Sequence, residues 1–123
     1  MAKYGFPEEA WDRAIDQAHA VLVQIARSED LISYSNLCSR IPAIQLEPHS
    51  YAMREFLGEI STAEHHRGKG LLSVVVVYKH GDQHPGPGFF ELARGLGYQV
   101  DDETQFWIDQ LRVVYAVHRG DSP

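Results

Sequence analysis

Residues 71–78 read Leu-Leu-Ser-Val-Val-Val-Val-Tyr, LLSVVVVY. Four consecutive β-branched valines favour extended backbone and resist a helix, so the run predicts a strand. The run does not alternate apolar with polar residues, so both of its faces are expected to be covered. A strand covered on both faces needs other elements packed around it, and the flanking sequence supplies them.

On the N-terminal side, Met53, Phe56, Leu57 and Ile60 recur at helical spacing. They predict a helix over Pro48–Glu64, with Arg54, Glu55 and Glu59 off the apolar stripe. Gly58 lowers its propensity, and Gly68 and Gly70 break the chain out of it. Further back, LISYSNLCSRIPAI (31–44) predicts a short helix through Arg40, capped by Ser33 or Ser35 and stopped by Pro42. The first helix is predicted over Pro7–Arg27, where Trp11, Ile15, Ala18, Leu22 and Ile25 make one face. Pro7 suits a first helical position, and Glu8, Glu9 and Asp12 suit the positive end of the dipole.

On the C-terminal side, KHGDQHPGPG (79–88) is the strongest break in the chain. FFELARGLG (89–97) then predicts a short helix with Phe89, Leu92, Ala93 and Leu96 inward and Gly97 as its C-terminal cap. Tyr98–Val100 predicts a short second strand. Asp101 is expected to cap a last helix whose apolar face is Trp107, Leu111, Val114 and Tyr115. Arg112, His118 and Arg119 gather near its negative end, and Gly120 ends it. The expected fold is α+β and mainly helical, with about five helices and a small two- or three-stranded sheet, in a single domain over residues 1–123.

Composition bounds the function. Apolar residues make up 44% of the chain, enough for a core. The longest apolar run is far short of a membrane helix, so no membrane partner is expected. The opening MAKYGFPEEAW lacks an apolar stretch followed by a small-residue cleavage site, so no secretory signal is expected. The one cysteine, Cys38, cannot form an internal disulfide and reads as a small buried hydrophobe. Together these point to the cytoplasm.

The net charge of −6 is unevenly spread. Residues 31–80 carry five basic side chains against four acidic ones, whereas residues 1–30 net −3 and residues 81–123 net −4. Only the middle block can meet a phosphate backbone without repulsion, and it does so only if its basic groups share a face. Its candidates are Arg54, Arg67, Lys69 and Lys79, with His49 and Ser50 at the start of the third helix. The acidic ends suit instead a basic protein partner, whose encounter complementary charge would speed.

Three further patterns carry chemistry. EHHRGKG (64–70) places two histidines side by side, but they diverge on a helix and match no zinc motif, so no metal is expected. HPGPGFFE (84–91) puts glycines before a helix, where free N–H groups can meet an anion or small ligand. Gly86, Gly88, Phe89, Phe90 and Glu91 would form that site. Pro87 removes a donor, and the Walker and dinucleotide patterns are missing, so the loop reads foremost as a turn that plugs both phenylalanines into the core. Glu55, Glu59 and Glu64 with His65 could do acid–base work only in split environments. There is no nucleophile elbow, so no catalytic residue and no cofactor are assigned.

The order helix, short helix, longer helix, strand, loop resembles a winged helix-turn-helix domain. In that resemblance Ser35–Ile41 is the first helix of the turn motif, Pro48–Glu64 the recognition helix, and Val74–Gly88 the strand and wing. ISYSNLCSRI (32–41) is similar to the extended tyrosine and short helix with which several such domains begin the motif. The likeness extends loosely to the alkyltransferase-like family, which begins it with a proline–tyrosine–glycine segment. That family's proline–cysteine–histidine–arginine motif is absent, so no alkyl transfer is implied. The segment around KGLLSVVVVYKHGDQHPGPGFFELARGLG is also similar to short bacterial proteins of unassigned function. The resemblance implies a regulatory or DNA-binding module that contacts duplex DNA through residues 48–80. Two departures stand beside it: the Pro42–Glu47 linker is long for a helix-turn-helix, and the recognition helix carries two glutamates.

Overall fold

The computed structural model describes residues 2–79, 81 and 83–120. Its elements are β1 (Ala2–Lys3), β2 (Phe6–Pro7), α1 (Glu8–Arg27), β3 (Ile32–Ser33), α2 (Tyr34–Ser39), α3 (Tyr51–His66), β4 (Val76–Val77), α4 (Pro87–Gly95) and α5 (Glu103–Gly120). The fold is therefore α+β and mainly helical, with five α-helices among the described residues, and is consistent with a winged-helix-like architecture. Among the described residues its strands are two pairs of two residues each. β1 and β2 form an antiparallel hairpin, and β3 pairs in parallel with β4, Ile32 beside Val76 and Ser33 beside Val77.

The valine run departs from expectation in an instructive way. Leu71–Val77 is buried throughout, as the lack of alternation predicts. Yet Leu72–Val75 forms a 3-10 turn, and only Val76–Val77 is strand. Enclosed by α1, α3 and α5, the run has no long neighbour to form a ladder with, and its polar backbone groups must find partners inside the protein. Side chains serve. Gln110 Oε1 accepts the Leu71 N–H at 3.2 Å, Ser61 Oγ accepts that of Ser73 at 2.9 Å, and Trp107 Nε1 donates to the Val74 carbonyl at 2.9 Å.

Local chemistry sets the helix ends. Ser33 caps α2 by accepting the Asn36 N–H, and Ser50 caps α3 by accepting that of Met53, each at 3.1 Å. The Ser50 cap starts α3 at Tyr51, three residues beyond the expected Pro48. Pro87 occupies the first position of α4. At its far end the Tyr98 N–H donates to the Ala93 carbonyl and Arg94 Nη2 donates to the Val100 carbonyl. Those two bonds take groups that a second strand at Tyr98–Val100 would use, and no such strand forms. Asp102, not Asp101, caps α5: its carboxylate accepts the Gln105 N–H at 3.0 Å.

The core lies where α1, α3 and α5 meet the buried run. On α1 the fully covered face is Ala10, Trp11, Ala14, Ala18, Leu22 and Ala26, so Ile15 and Ile25 sit at its margins. Alanines at the centre allow close approach of the neighbouring backbone. Only Val114 of the expected α5 face is fully covered; Trp107, Leu111 and Tyr115 are half-buried. Among the described residues, no helix is long and apolar enough to cross a membrane.

Candidate functional site

Two segments that the sequence offers as separate candidates converge on one cleft of about 540 Å³. From the start of α3 come His49, Ser50, Tyr51, Arg54 and Glu55. From the start of α4 come Gly86, Gly88, Phe89 and Glu91. Tyr34 and Tyr78 also line it.

These two tyrosines were not among the sequence candidates, and the parallel register explains their position. Because Ser33 pairs with Val77, the next residue of each strand leaves the pair at the same end. The rings of Tyr34 and Tyr78 stand 5.6 Å apart, and His49 lies 5.4 Å from the first and 5.7 Å from the second. The result is a three-ring cluster against the cleft. Only the pairing of positions 44 residues apart could have revealed it.

The Gly-Pro-Gly segment has a steric reason for its composition. A side chain at Gly86 would place its Cβ 2.7 Å from Tyr78 Oη and 3.3 Å from Tyr34 Oη. One at Gly88 would sit 3.1 Å from Arg54 Nε. Both glycines let the loop backbone lie against the cleft side chains. The Gly86 N–H donates to Tyr34 Oη at 2.9 Å. Burial raises the Tyr34 pKa, with the Gly86 bond opposing it, so Tyr34 stays a neutral hydroxyl that can still donate its own proton.

Arg54 and Glu91 form an ion pair between the two walls of the cleft, both side chains about half exposed. Such a pair adds little stability but holds a guanidinium at the opening. Phe89 forms part of the lining, whereas Phe90 is buried in the core and lies outside it. The loop therefore both plugs an aromatic pair inward and leaves a concave surface beside it.

The remaining basic candidates lie elsewhere. Arg67 follows α3 as its C-terminal cap, about 20 Å of helix from Arg54 at 1.5 Å per residue. Its Nη1 donates to Glu64 Oε1 at 3.2 Å beside a smaller cleft of about 200 Å³ that Asp16, His19 and Glu59 help to line. Lys69 follows it and is half-buried, and Lys79 is exposed just past Tyr78. The structure does not bring Arg54, Arg67 and Lys69 onto one face. The Tyr78 N–H donates to the His84 carbonyl at 3.1 Å, closing the loop expected to be the wing. His80 and Asp82 of that loop lie outside the described residues.

The acid–base candidates are used in other ways. Glu64 is buried and meets His19 Nε2 at 2.6 Å rather than His65, which hydrogen-bonds Tyr98 Oη at 2.8 Å. Among the described residues, no group of three His, Cys, Asp or Glu is placed to hold a metal ion. Cys38 is half-buried against Met53, and burial, aided by the Glu47 charge, pushes its thiol up to about 11. Compared with known proteins, the chain matches no family model, no curated protein and no solved structure.

Proposed function

We propose that this is a winged-helix-like nucleic-acid-binding module whose contact surface is the cleft at the start of α3, which takes only part of residues 48–80 and adds Tyr34 and the start of α4. The observation that carries the reading is the joining, in one cleft, of three aromatic rings with Arg54 and two helix N-termini. Rings of this kind stack on an unpaired base whatever its identity. Helix N-termini and a guanidinium suit a phosphate. In the cleft Arg54 is offset by Glu55 and Glu91, and Lys79 stands outside the lining, just past Tyr78. The contact therefore neutralises one or two phosphates, not a long tract, and its salt dependence is shallow.

Fluorescence anisotropy with labelled single-stranded and duplex oligonucleotides, at two salt concentrations, tests this. The wild-type chain binds at low salt. Arg54→Ala weakens binding about tenfold and lowers the salt slope by roughly one. Replacing Arg67 and Lys69 together with alanine leaves the slope unchanged, because they stand at the other end of α3. Absence of binding to either oligonucleotide at low salt removes the reading. A large loss in the Arg67/Lys69 double variant moves the contact surface to that end.

A further inference from the structure

Beside the cleft lies an aromatic corner with a different chemistry. Tyr4 and Gly5 form the tip of the β1–β2 hairpin, both at positive φ, 53° and 87°. Glycine takes that geometry freely, but a tyrosine does so only where its surroundings hold it. Here the Tyr4 ring rests on Trp11 with centroids 5.2 Å apart and meets Tyr51 edge-on at 5.8 Å. Tyr4 is 48% exposed and Tyr51 65%. Among the described residues the only other large apolar side chain exposed in this way is Val113 on α5. Two of the three thus touch each other.

Two carboxylates and one ammonium, that of Lys3, stand at this corner, so its charge is net negative. Glu55 Oε1 accepts from Tyr4 Oη at 3.5 Å and from Tyr51 Oη at 3.3 Å. One helical turn on, Glu59 accepts from Trp11 Nε1 and Lys3 Nζ. A phosphate placed here meets two carboxylates. A guanidinium finds ring faces to lie against and a carboxylate beside them, the combination that recognises arginine. The net charge of −6 draws the same kind of partner from a distance.

We propose that Tyr4, Tyr51 and Glu55 form a docking corner for an arginine side chain of a basic protein partner. This goes beyond the nucleic-acid reading and does not depend on it. Tyr51 and Glu55 also belong to the cleft wall, so a partner seated here stands at the cleft's edge.

Titration of the full chain with a hexa-arginine peptide, followed by NMR of backbone amides and aromatic rings, tests the proposal. The expected result is saturable movement of the Tyr4, Tyr51 and Glu55 signals, with hexa-glutamate producing none. Tyr51→Ala, at an exposed side chain, and Glu55→Gln, which keeps the shape of a half-buried one, should each weaken peptide binding about threefold, the size of an exposed cation–π or ion-pair contact. Tyr4→Gly relieves the positive φ, so the chain still folds, and weakens binding to a similar degree. Unchanged affinity in all three variants overturns the proposal, because general acidity then accounts for the binding. Movement of the same signals by a single-stranded oligonucleotide but not by hexa-arginine also overturns it, and assigns the corner to the nucleic-acid surface.

Discussion

The two ends of α3 are built for different purposes. In its last two turns two polar side chains point inward: Ser61 and Glu64 are buried, and each is tied to another part of the chain, Ser61 to Ser73 and Glu64 to His19. Its first two turns bury Met53, Phe56 and Leu57 but turn their polar side chains to a cleft, with Tyr51 and Arg54 exposed and Arg54 paired across the opening. One helix thus anchors the core along its whole length but spends its polar side chains inward at one end and on an open cleft at the other. The difference also separates the basic residues. Arg67 is held by a buried carboxylate, whereas Arg54 pairs with a carboxylate that is itself half exposed.

The contrast predicts its largest stability effect at the buried end. Ser61→Ala adds no bulk but removes the oxygen that accepts the Ser73 N–H and the hydroxyl that donates to Ser73 Oγ at 2.6 Å. An orphaned donor there should cost about 2–3 kcal/mol in urea unfolding, with the slope unchanged. A cost near zero would mean that the 3-10 turn can shift to other partners, and the inner end of α3 would be less fixed than it stands here.

Next in size is Gly86→Ala, expected to cost about 1–2 kcal/mol because its Cβ would collide with Tyr78 Oη. Adding Tyr78→Phe removes the clashing oxygen, so the double variant should recover part of the loss. A double-mutant cycle measures that coupling. Strict additivity would show that the loop moves away from the tyrosine and that the cleft wall is softer than its geometry implies.

At the open end the stability effects should be small. Glu91→Gln breaks the pair with Arg54, yet both groups keep access to water, so thermal unfolding should change by less than about 0.5 kcal/mol. On the proposed function, nucleic-acid affinity should rise slightly, since a negative group leaves the cleft. A loss of affinity would mean that Glu91 is needed to aim Arg54.

A test without any change of stability concerns Cys38, which joins α2 to the first turn of α3 through Met53. With its thiol pushed up to about 11 against an ordinary 9, the folded chain holds roughly a hundredfold less thiolate at pH 8 than a free cysteine. Alkylation by iodoacetamide should be slow by a similar factor and speed up on unfolding. Fast alkylation of the native chain would show that α2 and α3 separate readily.

The helical half of this fold was readable because periodicity is a local signal. Met53, Phe56, Leu57 and Ile60 are buried as their spacing requires, and Ser33 does cap α2. The strand assignments were less secure because strands depend on partners elsewhere. LLSVVVVY has every intrinsic preference for extension, yet side-chain partners from α3 and α5 let most of it turn instead. The β1–β2 hairpin left no run long enough to read. At the cleft, His49, Arg54, the glycines and Glu91 were visible as chemistry, but nothing local joined the two sets. The hinge between them is the register that brings Tyr34 beside Tyr78, a relation between positions far apart in the chain.

The side-chain partners of the buried run carry a consequence for amide hydrogen exchange. In an ordinary sheet, an amide proton is protected by the strand beside it. Here the Leu71 amide is protected by a residue of α5 and the Ser73 amide by a residue of α3. Each amide therefore reports the docking of one helix, not the integrity of a ladder. If α5 opens as a separate cooperative unit, Leu71 should exchange at the free energy of that opening while Ser73 waits for global unfolding. Two protons two residues apart would then time the release of two different helices.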